Sequence, residues 1–392
     1  MLLWGAMSER LTIQLSRNLR RDILRGHPWI YRNAIRNPPP SKAGRLCRVI
    51  DMKGSPVAWA LYDPHSPLAL RVLSLDRQPP TPETYARRIR HASSLRRTCL
   101  PPDTTAWRLI NGEGDLLPGM ICDIYDRVAV LQFDGQGPRE FWDLDATASW
   151  VLEQTDCDIV IEKRRGGQGI QPVAGEPPTG RVEVHENGHG FKVDLTHGQK
   201  TGLFLDQRDN RSYLGRLAEG KSLLNLFSYT GGFSVYAGRG GAGKVTSVDM
   251  AAGAIELSEA NWALNGLPAD RHHGVCDDVF DFLGSATDTW DIVVVDPPSM
   301  AHAEKQKPKA IAAYTALFAD AGAVVHPGGH LILSSCSSHV TFDDFFDIIN
   351  QALSRIRRKG RILHVSGQGP DHPFPHACHE LRYLKFVHLL LD

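Results

Sequence analysis

The 392-residue sequence lacks the features that mark several large protein classes. No apolar run approaches the roughly 18 residues of a membrane-spanning helix. The apolar stretch at residues 1–7 is too short for a signal peptide and has no basic leader. None of the seven cysteines forms a CxxC pair, so neither a zinc site nor a disulfide framework is expected. These absences predict a cytoplasmic protein with reduced cysteines, no metal and no membrane partner.

Two phosphate-binding patterns are also missing. The sequence contains no GxGxxG dinucleotide pattern and no P-loop lysine followed by serine or threonine. A cofactor that carries a pyrophosphate or a triphosphate is therefore not expected.

The chain has no net charge, but its charges are unevenly distributed. Residues 1–100 hold 18 basic and 6 acidic side chains, a net of +12, and residues 101–392 hold 26 and 38, a net of −12. Arginine dominates the basic excess, and its planar guanidinium group suits phosphate contacts and base stacking. A basic N-terminal region followed by an acidic remainder predicts that a polyanion binds to residues 1–100. A basic surface that is only solvated would give the same charge distribution.

The pattern of short strands, helices and turns predicts an α/β protein of three domains. Residues 8–80 read as short strands of a small β-barrel. Residues 81–198 read as a central α+β domain with a helix at 82–98, a loop at 164–181 and a closing hairpin whose turn is Asn187-Gly188. From residue 199 apolar strands alternate with helices, as in a Rossmann-like, mostly parallel sheet, and the tail predicts a closing antiparallel hairpin.

A nucleoside-binding crevice is predicted at the carboxyl ends of the parallel strands. Glycines follow the strand at 223–226, where they would let the backbone approach a ligand. Asp249 ends the next strand, where an acid typically holds ribose hydroxyls. Asp277 and Asp278 follow the third strand, where an acid could meet the amino group of adenine. A nucleoside without a pyrophosphate fits this pattern, and S-adenosylmethionine is the predicted cofactor.

Cys336 and Asp296 follow two other strands of the same predicted sheet. Cys336 ends the apolar run at 330–336, and Asp296 ends the run at 291–296 and precedes Pro297 and Pro298. Parallel strands deliver their carboxyl ends to one crevice, so the thiol and the acid should meet there. A thiol beside a carboxylate in a cofactor crevice suggests covalent catalysis.

The sequence resembles the RlmI-type ribosomal RNA methyltransferases over nearly its whole length. These enzymes methylate carbon 5 of a cytosine in large-subunit ribosomal RNA. The matching motifs lie at 26–31 and 62–66 (an N-terminal PUA domain, which is an RNA-binding barrel), 112–119 (the central domain), and 199–208, 225–232, Asp249, 278–279, 296–298 and 335–337 (the catalytic domain). One departure is Ser299, where the family usually has lysine, a difference that bears on contact with the base or RNA rather than on the fold.

The resemblance and the crevice together imply roles for particular residues. The expected catalytic residues are Cys336 as the thiolate that adds to carbon 6, Asp296 at the base edge near carbon 4, and Glu380 as a candidate base. The expected contacts to RNA or the target base are Pro297, Pro298, Arg20, Arg21, His27 and Trp29. The expected cofactor-binding residues are Phe204, Asp206, Arg208, Asn225, Phe227, Ser228, Thr230, Gly231, Asp249, Met250, Asp277, Asp278, Val279 and Asp296.

Several alternatives stay open at this point. A methyltransferase that acts on a guanine nitrogen would need no covalent thiol, whereas transfer to uracil carbon 5 would keep it. A ribosome-assembly protein that binds RNA without catalysis is a different class. The expected partner is ribosomal RNA or a ribosomal-subunit precursor, and the sequence does not decide between a monomer and a homodimer.

Overall fold

The N-terminal part of the chain folds into a five-stranded sheet. The structure is a computed structural model that describes residues 11–164, 169–301 and 303–392. The sheet has the order β1-β3-β4-β5-β2, and its elements are β1 (Leu11–Gln14), α1 (Arg20–Leu24), β2 (Trp29–Tyr31), β3 (Arg45–Ile50), β4 (Pro56–Tyr62) and β5 (Leu68–Ser74). In β3, Cys47 and Val49 are buried in the core while Arg48 between them is only half-buried, because successive side chains of a strand alternate between faces.

The central part of the chain is a second five-stranded sheet covered by helices. Its order is β10-β9-β8-β7-β6. Its elements are α2 (Pro82–Cys99), β6 (Ala106–Asn111), β7 (Met120–Tyr125), β8 (Val128–Phe133), α3 (Gln136–Phe141), α4 (Leu144–Gln154), β9 (Ile159–Lys163) and β10 (Ile170–Ala174). The predicted helix at 82–98 is confirmed as α2.

The prediction of a loop across 164–181 is wrong at β10, and residues 165–168 lie outside the described part of the chain. β10 is an edge strand with a bulge between Pro172 and Ala174. Proline is tolerated at sheet edges and bulges. Pro172 had therefore indicated a loop although it lies in an edge strand. The predicted hairpin is confirmed as β11 (Val182–Glu186) and β12 (His189–Val193), with Asn187 and Gly188 both at positive φ in the turn.

The C-terminal part of the chain is a seven-stranded sheet between two layers of helices. Its order is β15-β14-β13-β16-β17-β19-β18, and only β19 runs antiparallel to its neighbours. The elements are α5 (Arg208–Gly215), β13 (Ser222–Leu226), α6 (Gly232–Arg239), β14 (Lys244–Asp249), α7 (Ala252–Leu264), β15 (His272–Cys276), α8 (Val279–Ser285), β16 (Trp290–Val295), α9 (Lys307–Ala323), β17 (Val325–Ser335), α10 (Phe342–Arg355), β18 (Gly360–Ser366) and β19 (Lys385–Leu391).

This sheet confirms the predicted Rossmann-like pattern and its closing hairpin. β13 pairs in parallel with β14 on one side and with β16 on the other, so the chain reverses its direction of winding there. Ligands of open α/β sheets bind at such a switch point, outside the carboxyl ends of the strands. The fold therefore directs attention to the loops that follow β13, β14, β16 and β17. Among the described residues, no helix combines the length and apolarity needed to cross a bilayer.

A buried ion pair joins the central and C-terminal parts of the chain. Arg208, at the start of α5, donates to both carboxylate oxygens of Asp371 at 2.9 and 3.1 Å. The same carboxylate accepts the backbone N–H of Arg108 in β6, and the Asp371 carbonyl accepts from Arg96 in α2. Arg208 and Asp371 are 1% and 0% exposed. A buried charge is tolerated only when it is paired. Because Asp371 binds Arg208 and also accepts from Arg108 and Arg96, it links the C-terminal sheet to the central part of the chain.

Candidate active site

A cavity of about 310 Å³ lies at the carboxyl ends of the parallel strands. Its size is at the lower end of the range of small-molecule sites, about 300–1,000 Å³. The predicted site residues that line it are Phe204, Asp206, Phe227, Ser228, Thr230, Asp249, Met250, Asp278, Val279, Asp296, Pro297, Pro298 and Cys336. The fold thus brings predicted cofactor residues and two of the three predicted catalytic residues to one cavity.

The loop after β13 forms one wall of the cavity and has an unusual backbone. Phe227 and Tyr229 adopt left-handed conformations, with φ of 57° and 46°. Such conformations cost of the order of 1–3 kcal/mol each and cluster at functional sites. Gly231 has a φ of 79°, and a Cβ at this position would collide with Ser258. The glycine is therefore required by the backbone conformation and by the close approach of α7.

Asp249, at the end of β14, binds the backbone of the loop that follows β13. Its Oδ2 accepts the backbone N–H of Tyr229 at 2.8 Å, and its Oδ1 accepts that of Ala251 at 3.0 Å. These bonds fix the carboxylate at the cavity wall while each oxygen keeps a second lone pair. Met250 beside it is 74% exposed and lines the cavity, so it offers an apolar surface next to the acceptors. A carboxylate beside an apolar side chain suits a ribose and its base.

Replacing Asp249 with alanine should weaken cofactor binding by roughly tenfold or more. A hydrogen bond to a charged acceptor is worth about 1.5–3 kcal/mol, and two ribose hydroxyls would lose their acceptor. Calorimetric titration of the folded variant with S-adenosylmethionine measures the effect. Asp281→Ala, at an exposed acid in the first turn of α8, is the matched control and should bind normally. An Asp249→Ala protein with unchanged affinity would rule out this role.

Two buried polar atoms of residues that line the cavity lack a partner within the described protein. They are Ser228 Oγ and Asp206 Oδ1. Buried polar groups are nearly always hydrogen-bonded, so orphaned atoms at a cavity indicate a polar ligand. Together with Asp249, they match a ligand that carries hydroxyl and amino groups. These residues fit S-adenosylmethionine.

Asp206 forms the centre of a buried charged cluster. Its Oδ2 accepts from Lys200 Nζ at 2.8 Å and from the hydroxyl of Tyr383 at 2.7 Å. Burial alone would raise the pKa of Asp206, but the charges of Lys200 and His372 and the two hydrogen bonds hold it well below its usual range. Asp206 therefore stays ionised at neutral pH, with one oxygen left for a ligand.

Asp296 has the opposite electrostatic setting. It follows β16, and burial raises its pKa to about 6, with the charge of Asp206 adding to the effect and a hydrogen bond with Ser334 opposing it. Ser334 is in turn held by the side-chain amide of Gln207 at 2.9 Å. Two carboxylates in one cavity therefore differ in proton affinity, as acid–base sites require.

Cys336 lies directly after β17 and lines the cavity. Burial raises the pKa of its thiol to about 11, and the carboxylates of Asp296 and Asp206 add to this, whereas Lys200 and Lys385 lower it. Lys385 is 1% exposed, and burial lowers its pKa to about 8. Its Nζ donates to the carbonyls of Ser337 and Tyr383 at 2.6 and 2.8 Å. Two lysines thus favour the thiolate, and one of them also anchors the loop that carries it.

Ser337 connects the segment after β16 to the segment after β17. Its hydroxyl accepts the backbone N–H of Met300 at 3.1 Å and lies 3.2 Å from the hydroxyl of Ser299 and 2.9 Å from that of Tyr314. The loop that carries Asp296 and the prolines is therefore bonded to the residue next to Cys336. Ser299, which replaces the family's usual lysine, takes part in this bond network.

The other predicted cofactor residues lie outside the cavity lining. Arg208 is committed to Asp371, and Asn225 donates to Ser234 at 2.9 Å from the strand before the loop. Gly231 caps α6, and Asp277 is exposed, with its carboxylate accepting the N–H of Asp278.

Glu380 and the predicted RNA-binding residues of the N-terminal part also lie elsewhere. Glu380 is beside His27 and Cys378, and it is not among the residues that line the cavity. Trp29 donates its indole N–H to Glu113 of the central part at 2.8 Å. Arg20 pairs with Asp51 at 3.0 Å, and Arg21 is exposed.

Sequence reasoning did not single out Lys200, Gln207, Ser337 or Lys385. Lys200 and Gln207 lie within the matching motif at 199–208, but the motif gave no separate role to either residue. Lys385 carried a usable signal, since it is a charged residue at the start of a mostly apolar strand. A charge in such a run is expected to be paired, and its partners are the two carbonyls beside the thiol.

Comparison with known proteins identifies the class of this fold and cavity. Residues 135–356 match the S-adenosylmethionine-dependent methyltransferase family, and residues 13–75 match a PUA-like domain. A Streptococcus mutans structure described as a SAM-dependent methyltransferase has the same fold, with a TM-score of 0.84 over 97% of this chain and 100% of that one at 23% identity. The protein is an S-adenosylmethionine-dependent methyltransferase with a PUA-like domain at its front.

Curated relatives narrow the class to one family. A ribosomal RNA large subunit methyltransferase of Deinococcus radiodurans is 36% identical over 99% of both chains. Ribosomal RNA large subunit methyltransferase I of Shewanella frigidimarina is 33% identical over 96% of this chain and 98% of that protein. The chain belongs to this family of ribosomal RNA large subunit methyltransferases, as its motifs indicated.

Proposed function

We propose that the protein methylates carbon 5 of a cytosine in large-subunit ribosomal RNA through a covalent bond to Cys336. The observation that carries this proposal is the position of Cys336. Its thiol lines the same cavity as Asp249, Asp206 and Asp296. Methylation of a guanine nitrogen needs no thiol, so a thiol at this place favours a pyrimidine carbon.

The Cys336 thiol would make carbon 5 of the cytosine nucleophilic. Carbon 5 of cytosine is a poor nucleophile. Addition of the Cys336 thiolate to carbon 6 forms a sulfur–carbon bond, breaks the double bond between carbons 5 and 6, and leaves carbon 5 enamine-like. Bound S-adenosylmethionine would supply the electrophilic methyl group to carbon 5, with its sulfonium sulfur keeping the bonding electron pair as the leaving group. Loss of the carbon-5 proton then restores the double bond as the sulfur–carbon bond breaks and the thiolate returns.

Asp296 is the carboxylate best suited to exchange protons with the bound base. Its raised pKa of about 6 lies close to neutral pH, where general acid–base groups are most effective. Asp206 is held ionised by Lys200 and is therefore a weak base. The rigid Pro297 and Pro298 follow Asp296 along the cavity wall. We infer that Asp296 contacts the base edge near carbon 4, with the base flipped out of its stack.

The PUA-like domain is proposed to supply affinity for the RNA. Its exposed arginines include Arg17, Arg21 and Arg25, which project into solvent around α1. Such groups contact phosphates without reading sequence. Trp29 and Arg71 hold this domain against Glu113 of the central part, which would keep the RNA-binding surface fixed relative to the cavity.

The product of the reaction tests the proposed function. Purified enzyme, S-adenosylmethionine and unmodified large-subunit ribosomal RNA are incubated, and the RNA is digested and analysed by mass spectrometry. One 5-methylcytosine is expected. A methylated guanine or a 5-methyluracil would replace the proposed base, and absence of any methylated product on both naked RNA and subunit precursors would favour the non-catalytic alternative.

A further inference from the structure

A set of metal-ligand side chains lies at the junction of the PUA-like domain and the C-terminal segment. His27 precedes β2, and Cys378 and Glu380 lie in the segment between β18 and β19. One potential ligand atom of each residue lies within 4.8 Å of the others. The cluster is separate from the cavity of the active site, since none of the three residues lines that cavity.

We propose that His27, Cys378 and Glu380 bind a zinc ion that fastens the PUA-like domain to the C-terminal segment. Imidazole, thiolate and carboxylate are all ligands of zinc, and three protein ligands leave a fourth tetrahedral position for water. A thiolate and a carboxylate together carry two negative charges, which a divalent cation neutralises.

The spacing of the donor atoms fits a tetrahedral ion. Zinc–sulfur bonds of about 2.3 Å and zinc–nitrogen or zinc–oxygen bonds of about 2.0–2.1 Å place neighbouring donors about 3.3–3.6 Å apart. Cys378 Sγ already lies 3.4 Å from Glu380 Oε2. One edge of the tetrahedron is therefore already at the required length, and the histidine nitrogen, which lies within 4.8 Å of the other two donor atoms, has to move closer.

The surroundings support the ligand roles. Nδ1 of His27 lies 3.2 Å from the carbonyl oxygen of Trp29 and 3.3 Å from its backbone nitrogen. In the tautomer that donates to the carbonyl, Nε2 carries the free lone pair, which is the arrangement that orients metal-binding histidines. Cys378 is fully buried, and its thiol donates a hydrogen bond to Glu380 Oε2. A bound cation would replace the thiol proton that lies between the sulfur and the carboxylate.

The sequence had predicted no metal because it contains no CxxC pair. The donors come from opposite ends of the chain, so only the fold reveals them. The site would make Glu380 a metal ligand instead of a catalytic base. Its binding of zinc would link β2 to the segment that carries Asp371 and leads into β19.

Metal binding by the full-length, tag-free protein tests the proposal. The chelated protein is titrated with zinc by calorimetry and, separately, with cobalt, whose thiolate bond gives a charge-transfer band in the near ultraviolet. One equivalent is expected to bind with the cobalt band present. Cys378→Ser should abolish the band, and His27→Ala and Glu380→Gln should each weaken zinc affinity at least tenfold. Cys276→Ser, at an exposed cysteine, is the control and should bind as wild type does.

Stability provides a second readout that does not depend on the spectrum. Zinc should raise the melting temperature of the wild type and of Cys276→Ser, but not that of Cys378→Ser. Each variant is first compared with wild type in metal-free buffer, so that a folding defect is recognised. Absence of stoichiometric binding to wild type, or binding that all three ligand variants retain, would overturn the proposal.

Discussion

Replacing Cys336 with alanine should abolish methyl transfer while S-adenosylmethionine binds normally. Loss of a covalent nucleophile costs up to about 10⁶ in turnover in a well-studied protease, so a loss of at least about 10³ is expected here. Cofactor affinity should persist, because the loop after β13 and Asp249 are held by their own hydrogen bonds. Transfer of a labelled methyl group to ribosomal RNA measures the first effect, and calorimetry measures the second.

Cys99 offers the matched control for this prediction. It is half-buried, as Cys336 is, but lies at the end of α2 in the central part of the chain. Cys99→Ala should therefore retain near-normal turnover. A folded Cys336→Ala enzyme with near-normal turnover would reject covalent catalysis and favour methylation of a guanine nitrogen.

Replacing Asp371 with asparagine should lower the free energy of unfolding at pH 7 by about 3–5 kcal/mol. The variant keeps the shape of the side chain but leaves the buried Arg208 with only the half-exposed Asp209 as a charged partner, and breaking one side of a buried pair typically costs this much. Urea unfolding at pH 7, followed by fluorescence, measures the loss. Asp209→Asn is the control, because Asp209 contacts the same arginine but is 50% exposed. An exposed pair contributes about 0–1 kcal/mol.

The same variant should change the dependence of stability on pH. Burial would raise the pKa of Asp371, but His372 and Arg208 hold it well below its usual range. Stabilisation by a carboxylate with a depressed pKa is complete above the ordinary value of about 3.9 and is lost as the pH falls below it. The difference between wild type and Asp371→Asn should therefore narrow below about pH 4. Equal stability of the two proteins at pH 7 would contradict this role for the pair.

The parallel sheet could be predicted because its strands are short and strongly apolar. β13, β16 and residues 331–335 of β17 are buried on both faces, and such strands read as nearly continuous apolar runs rich in Val, Ile and Leu. Residues that directly follow these strands, such as Asp296 and Cys336, could therefore be placed in one crevice. β10 escaped prediction because an edge strand with proline and a bulge has no such run.

Contacts between distant parts of the chain could not be read from the sequence. Arg208 lies in a matching motif and was expected to bind the cofactor, but its guanidinium group is committed to Asp371, 163 positions away. Glu380 follows histidines and a cysteine in sequence, which suggested a role in catalysis. The fold instead places it beside His27. Both outcomes depend on contacts between residues that are far apart in the sequence, and no local pattern encodes those contacts.

The most direct test of covalent catalysis is a trapped complex with RNA that contains 5-fluorocytosine at the target position. Fluorine prevents loss of a proton from carbon 5, so the thiol cannot leave after methyl transfer. Wild-type enzyme with S-adenosylmethionine should form a complex that survives denaturing electrophoresis, and mass spectrometry should locate the RNA on Cys336. Absence of a trapped complex from an enzyme that methylates the unmodified RNA, or attachment to another residue, would contradict the proposed mechanism.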